Sequence, residues 1–298
     1  MNKAKPTQIQ HQREFEEIFL LKKISLPLEI VNSEYFASYL RSNLLLLKFN
    51  KIATESGYSL NKNLSSLISL ETKRVSSLEK KIHHISKLLN QDDRRHIFTK
   101  AFQHYPDMGH DIDLLLDYAI TDTLKESLNL RDDQTSFLNR IAGKEPFISE
   151  DNIPIEFHRY IGHFGEYKEL TKIFIHNSVS KNGIRILSME DQLVLQVIQR
   201  LYSHFSIRLS DILLCIKILN SEIDLSYVKH ITQKNRLYGY MGHTHTQCQS
   251  TGRPSSKCIL SMSTLAHMQE NQHIVRSPKT VEAHRRRIVE MLLPHLHT

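Results

Sequence analysis

Cysteine is scarce in this chain: Cys215, Cys248 and Cys258 are the three among 298 residues. So few thiols argue against a disulfide framework. Long apolar runs are missing as well. The longest strongly apolar stretch, Ile212 to Ile216, falls far short of the ~20 residues that a membrane-spanning helix needs. The opening residues, Met1 to Gln8, are polar and lead into no apolar core, so no secretory signal is expected. A cytoplasmic protein with no membrane partner is the simplest expectation.

What remains is the composition of a folded, soluble chain. Hydrophobic residues make up 40% and charged residues 24%, as in ordinary globular domains. The length allows one large domain or two modest ones. A net charge of +7 and a pI near 9.2 permit an anionic partner without requiring one. The 18 histidines make that charge steeply pH-dependent below neutrality.

The most informative feature is Asp111-Ile112-Asp113, followed by Leu114, Leu115 and Leu116. On a strand, side chains alternate between faces, so both carboxylates point one way while Ile112, Leu114 and Leu116 point the other. Neighbouring carboxylates repel unless a cation joins them. Mg²⁺ pairs one or two carboxylates with substrate phosphates, which is the chemistry of phosphoryl and nucleotidyl transfer. The plain alternative is a half-exposed strand whose outer face happens to carry two acids. A third acid strengthens the first reading. Ile153, Ile155 and Phe157 alternate with Pro154, Glu156 and His158, which puts Glu156 and His158 on the face opposite the apolar one.

These segments, in order, resemble an uncharacterised nucleotidyltransferase family of the polymerase-β-like superfamily. The likeness is carried by His96-Ile-Phe-Thr-Lys100, Tyr105-Pro106, Asp111 to Leu115, Ile155-Glu-Phe-His158, and His204 with Arg208 to Asp211, within about residues 60–238. The resemblance implies that Asp111 and Asp113 hold two Mg²⁺ ions bridging a nucleoside triphosphate. Glu156 takes the place of the third carboxylate, near the attacking hydroxyl. Lys100 is read either as neutralising triphosphate charge or as an ordinary strand-end lysine. His158 either orients substrate or is a satisfied buried histidine. The chain departs from the family where Lys100-Ala101 replaces Lys-Gly, and where Gly109 and His110 stand in place of an arginine.

Four regions are expected. Residues 1–94 read as helices: Arg13 to Lys22, a helix capped by Ser33, and a long helix from Leu64 to Leu89. Its apolar stripe is read as Leu67, Leu70, Val75, Leu78, Ile82, Ile85 and Leu89, a core-packing face. Residues 95–185 read as an α/β (α+β) core, a small mixed sheet with helices. Its strands are expected at His96 to Thr99, at Asp111 onward and at Ile153 to Ile161, with a helix over Thr121 to Leu130. The stretch from Arg131 to Asp151, broken by Gly143 and Pro146, reads as a loop or an insertion. Residues 186–238 form a C-terminal helical bundle, with Ser188 as a cap three residues before Asp191. Arg200 or Arg208 suits phosphate oxygens; the alternative is an Arg208–Asp211 surface pair.

Residues 239–298 differ in character. Up to Lys257 the chain is polar, rich in Gly and Ser and without period, as in a linker. His243, His245, Cys248 and Cys258 match zinc ligands by type alone. Ser277 to Leu292 resembles the recognition helix of LuxR-type helix-turn-helix regulators. Ser277 caps it, Val281, Ile288 and Leu292 line one side, and Lys279, Thr280, His284, Arg285 and Arg287 remain to face nucleic acid.

Two functions follow as expectations. One is a metal-dependent nucleotidyltransferase that moves a nucleoside monophosphate from a triphosphate to an unknown acceptor. The other is a catalytically inactive relative, or a regulator that binds DNA through the LuxR-like helix. A toxin–antitoxin role fits either.

Overall fold

The computed structural model describes residues 8–91, 95–133, 143–161, 167–196, 198–199 and 208–234. Arg200, His204 and all of 239–298 lie outside them. That excludes the LuxR-like residues Lys279, Thr280, His284, Arg285 and Arg287, and the candidate zinc ligands His243, His245, Cys248 and Cys258.

Five helices come first: α1 (Gln8–Leu21), α2 (Leu28–Val31), α3 (Glu34–Ser42), α4 (Leu46–Glu55) and α5 (Lys62–Gln91). The Ser33 hydroxyl accepts from the Phe36 N–H at 3.1 Å and so caps α3 as expected. The stripe on α5 differs from the expected one. Leu64, Ile68, Val75, Leu78, Ile82, Ile85 and Leu89 are buried, whereas Leu70 is 63% exposed. Steps of three and four hold a helical face, and the step of five from Leu70 to Val75 leaves it. Phe15, Phe36 and Phe49 stack edge to face beneath these helices, with centroids 4.7 and 4.9 Å apart.

Seven strands then build one mixed sheet: β1 (His96–Phe98), β2 (Ile112–Leu116), β3 (Leu130–Asp132), β4 (Lys144–Ser149), β5 (Pro154–His158), β6 (Val179–Lys181) and β7 (Ile184–Ile186). Their order is β3-β4-β5-β2-β1-β7-β6. β2 and β5 run parallel, as do β1 and β7, and the other neighbours are antiparallel. The α/β (α+β) expectation therefore holds. Helix α6 (Asp122–Ser127) joins β2 to β3 and is capped by Thr121. Helices α7 (Lys168–His176), α8 (Met189–Gln196), α9 (Leu209–Leu219) and α10 (Leu225–Lys234) complete the described chain.

β4 falls where a loop or an insertion was expected. It carries Pro146, and prolines in sheets are tolerated near edges. The β3–β4 ladder ends at Asp132 opposite Phe147, so Pro146 sits just past it, where its carbonyl still accepts from the Asp133 N–H at 3.3 Å. The β6–β7 hairpin was not foreseen either. Asn182 and Gly183 turn it with φ of 54° and 77°, the left-handed pair that a two-residue hairpin requires.

The sheet separates two cores. Phe98, Ile112, Leu114, Leu116, Ile155 and Phe157 pack with α1–α5. Ile97 and Leu115 face the other way and pack with α7–α10. β2 is buried along its whole length, because the alternation that hides Leu114 on one side hides Leu115 on the other. Asp113 shares the face of Leu115, so it is carried into the interior.

Candidate metal centre

Pairing between β2 and β5 makes the site. Asp113 stands opposite Glu156, and Leu115 opposite His158. Adjacent strands are about 4.8 Å apart and opposed residues share a face, so the two carboxylates and the imidazole meet. The ligand atoms of Asp113, Glu156 and His158 lie within 4.8 Å of one another. His158 Nε2 is 2.9 Å from Asp113 Oδ1 and 3.4 Å from Glu156 Oε2.

Two lysines close the ring. Lys100, just past β1, places Nζ 3.0 Å from Asp113 Oδ2. Its position is set by the Thr99 N–H, which donates to the Asp113 carbonyl at 3.1 Å. Lys144, at the start of β4, places Nζ 2.6 Å from Glu156 Oε2. Nothing in the sequence singled out Lys144, since its partner is fixed only when β4 lies against β5.

The charges tune one another. Burial works to raise the Asp113 pKa, but Lys100 and His158 overcome it and hold the carboxyl well below the usual range. Burial also opposes ionisation of Glu156, and hydrogen bonds to His158 and Lys144 bring its pKa below normal. For His158, burial favours the neutral ring, yet Asp113 and Glu156 raise its pKa. Lys100 is likewise raised by Asp113, Asp111 and Glu156 against its own burial.

Asp111 lies half-buried just before β2 and outside that group of three. Burial, then the charge of Asp113, raise its pKa. Gly109 leaves room for it, because a Cβ there would come 3.3 Å from Asp111 Oδ1. The preceding loop is fastened at three points. Asp107 is 1% exposed and accepts from the N–H groups of Leu47 and Lys48 at 2.8 and 3.0 Å, capping α4. Arg74 of α5 donates to the carbonyls of Met108 and Gly109 while also paired with Glu71. His104 Nε2 meets Asp211 Oδ1 at 3.0 Å on α9.

Asp211 is therefore buried, not part of a surface pair; its Oδ2 also accepts from the Arg208 backbone N–H at 2.9 Å. Arg208 itself is half-buried at the N-terminus of α9. Burial, then Arg74, push the His110 pKa down, and Arg208 adds to that. Arg74 and Asp107 escaped sequence reasoning because both act across long sequence separations.

A divalent ion takes oxygen ligands at about 2.0–2.6 Å, so its ligands lie within about 4–5 Å of each other. The Asp113–Glu156–His158 group fits that limit and could hold a metal ion. Its two carboxylates suit hard cations, and its imidazole widens the choice toward transition metals. Among the described residues, no helix is long and apolar enough to cross a membrane.

No known family model matches the chain, and no curated protein matches it. Among solved structures, JHP933 from Helicobacter pylori is similar at 12% identity, with a TM-score of 0.35, over 67% of this chain and 95% of that one.

Proposed function

We propose that the chain is a metal-dependent nucleotidyltransferase of the polymerase-β-like superfamily, transferring a nucleoside monophosphate from a nucleoside triphosphate to an acceptor. The observation that carries this reading is the parallel pairing of β2 and β5, which sets Glu156 beside Asp113 with Asp111 at the strand's entry. Asp111, Asp113 and Glu156 would hold two Mg²⁺ ions, which when bound neutralise phosphate charge and favour in-line displacement at the α-phosphorus. In that displacement the acceptor hydroxyl gives up its proton to solvent, its oxygen bonds to the α-phosphorus, and the bond to pyrophosphate breaks, the pyrophosphate leaving with the electron pair. Lys100, with Nζ 3.0 Å from Asp113 Oδ2, would offer an ammonium group to the phosphate charge. Arg208 at the N-terminus of α9 is the second candidate phosphate contact. His158 holds the Asp113 carboxylate in place through its Nε2.

One observation favours a second reading. Lys100 and Lys144 already neutralise Asp113 and Glu156, so the cluster is stable as a set of ion pairs. An inactive relative, or a regulator using residues 277–292 on DNA, would keep it in that state. Titrating the protein with each nucleoside triphosphate, with and without Mg²⁺, separates the two. The transferase reading predicts metal-dependent binding that is lost in Asp111→Asn and Glu156→Gln. Absence of binding by any triphosphate sinks it.

A further inference from the structure

His158 Nε2 faces two carboxylates at once. It lies 2.9 Å from Asp113 Oδ1 and 3.4 Å from Glu156 Oε2. A single N–H is directional and serves one acceptor well, and here that acceptor is Asp113. A histidine kept only to satisfy Asp113 has no need of the second acid. One imidazole nitrogen and two carboxylate oxygens turned toward each other are a metal-ion donor set, and the three lie within 4.8 Å of one another.

Strand geometry makes this convergence. His158 stands two residues beyond Glu156 on β5, so both side chains leave the same face. Across the ladder it meets Leu115, which places it diagonal to Asp113, and a side chain as long as histidine spans a diagonal. Asp111 lies outside the group of three. The acids therefore offer two unlike places, one with an imidazole and one, toward Asp111, with oxygen alone.

The donor types choose the ion. Mg²⁺ prefers an oxygen shell and dehydrates reluctantly, so an imidazole among the ligands gives it little. Imidazole suits first-row transition ions, and carboxylates suit Mn²⁺ among them. The charges agree. Asp111, Asp113 and Glu156 are balanced by one divalent ion together with Lys100. Lys144 is then the surplus cation, and its side chain, 31% exposed, can turn from Glu156 to solvent.

We infer that Asp113, Glu156 and His158 hold one first-row transition-metal ion before any nucleotide binds, with His158 Nε2 as its nitrogen ligand. The ion takes the place of the Nε2 proton, which goes to solvent. Its catalytic use rests on the transferase reading, whereas the ion site stands on the three side chains alone.

Mn²⁺ alone is the probe. The full chain, stripped with chelator and free of nucleotide, is titrated with Mn²⁺ and read by pulsed EPR, with Mg²⁺ as competitor. The expected result is bound Mn²⁺ that carries a histidine-nitrogen coupling and resists about a tenfold excess of Mg²⁺. His158→Gln should abolish the coupling and weaken Mn²⁺ about tenfold or more, since losing even an outer partner of a ligand costs that much. His110→Gln, beside the acids in sequence but outside the group, should keep both. Lys144→Met should bind Mn²⁺ more tightly with the coupling intact, and it decides the matter if His158→Gln fails to fold. Mn²⁺ bound without nitrogen coupling, a coupling that survives in folded His158→Gln, displacement by equimolar Mg²⁺, weaker Mn²⁺ binding by Lys144→Met, or no binding without nucleotide overturns the site. Triphosphate titration with Mg²⁺ is run alongside. Nucleotide binding without a nitrogen-coupled ion removes this site and leaves the transferase reading standing; a nitrogen-coupled ion without any nucleotide binding does the reverse.

Discussion

Replacing Asp107 tests whether the loop that carries Asp111 is held as described. Its carboxylate is 1% exposed and accepts from two backbone N–H groups at 2.8 and 3.0 Å. Hydrogen bonds to charged groups contribute roughly 1.5–3 kcal/mol each, and losing an N-cap costs about 1 kcal/mol. Against this stands the cost of burying the carboxylate, which raises the Asp107 pKa despite both bonds. The two bonds overlap with the cap, so the net loss for Asp107→Ala is about 3 kcal/mol. Asp107→Asn keeps one carbonyl oxygen for the Leu47 N–H and should lose about 1 kcal/mol. Against a total stability of about 5–15 kcal/mol, the alanine variant is a severe lesion. Urea unfolding reads both, as a lower midpoint at unchanged slope. A loss below ~1 kcal/mol for the alanine variant, or equal losses for the two, refutes the reasoning.

Three further outcomes follow. Gly109→Ala brings a Cβ to 3.3 Å from Asp111 Oδ1; it should leave the urea midpoint nearly unchanged and weaken metal-dependent triphosphate binding about tenfold by displacing that carboxylate. A double-mutant cycle on His104→Ala and Asp211→Asn should give a coupling of about 1–3 kcal/mol, because the pair is buried and in direct contact; additive losses contradict the link between the loop and α9. His158 is raised above its ordinary pKa by Asp113 and Glu156, so its stabilisation is complete below about pH 6.5 and is lost as pH rises through the folded value. In metal-free protein, the stability gap between wild type and His158→Gln should shrink on going from pH 6 to pH 9; a gap that widens refutes the assignment. Asp113 and Glu156 have the opposite sign, their contribution being lost on acidification.

Much of the centre was legible because period-two alternation is a local property. Ile153, Ile155 and Phe157 against Pro154, Glu156 and His158 fixes a face without any knowledge of neighbours, and the structure puts those residues on the faces so deduced. That β5 lies parallel to β2 in a register joining Asp113 to Glu156 is a tertiary fact. Lys144 depends on it twice over, since β4 hides behind Pro146 and its polar start. The β6–β7 hairpin did carry a signal, Asn182-Gly183, but strands of three residues offer too little alternation to support it. Leu70 shares the apolar composition of α5 but not the phase of its buried face, since a step of five leaves a helical stripe. Arg74, Asp107 and the His104–Asp211 pair act across 34 to 107 residues of chain, and no local pattern announces them.

The central claim is that Asp113 and Glu156 hold a divalent ion with a nucleotide. A crystal soaked in Mn²⁺ and a non-hydrolysable nucleoside triphosphate, read by anomalous scattering, tests it most directly. The account predicts an anomalous peak between the two carboxylates, with triphosphate density beside it and Lys144 withdrawn from Glu156. No peak there, with Lys100 and Lys144 still paired to the acids, would contradict it.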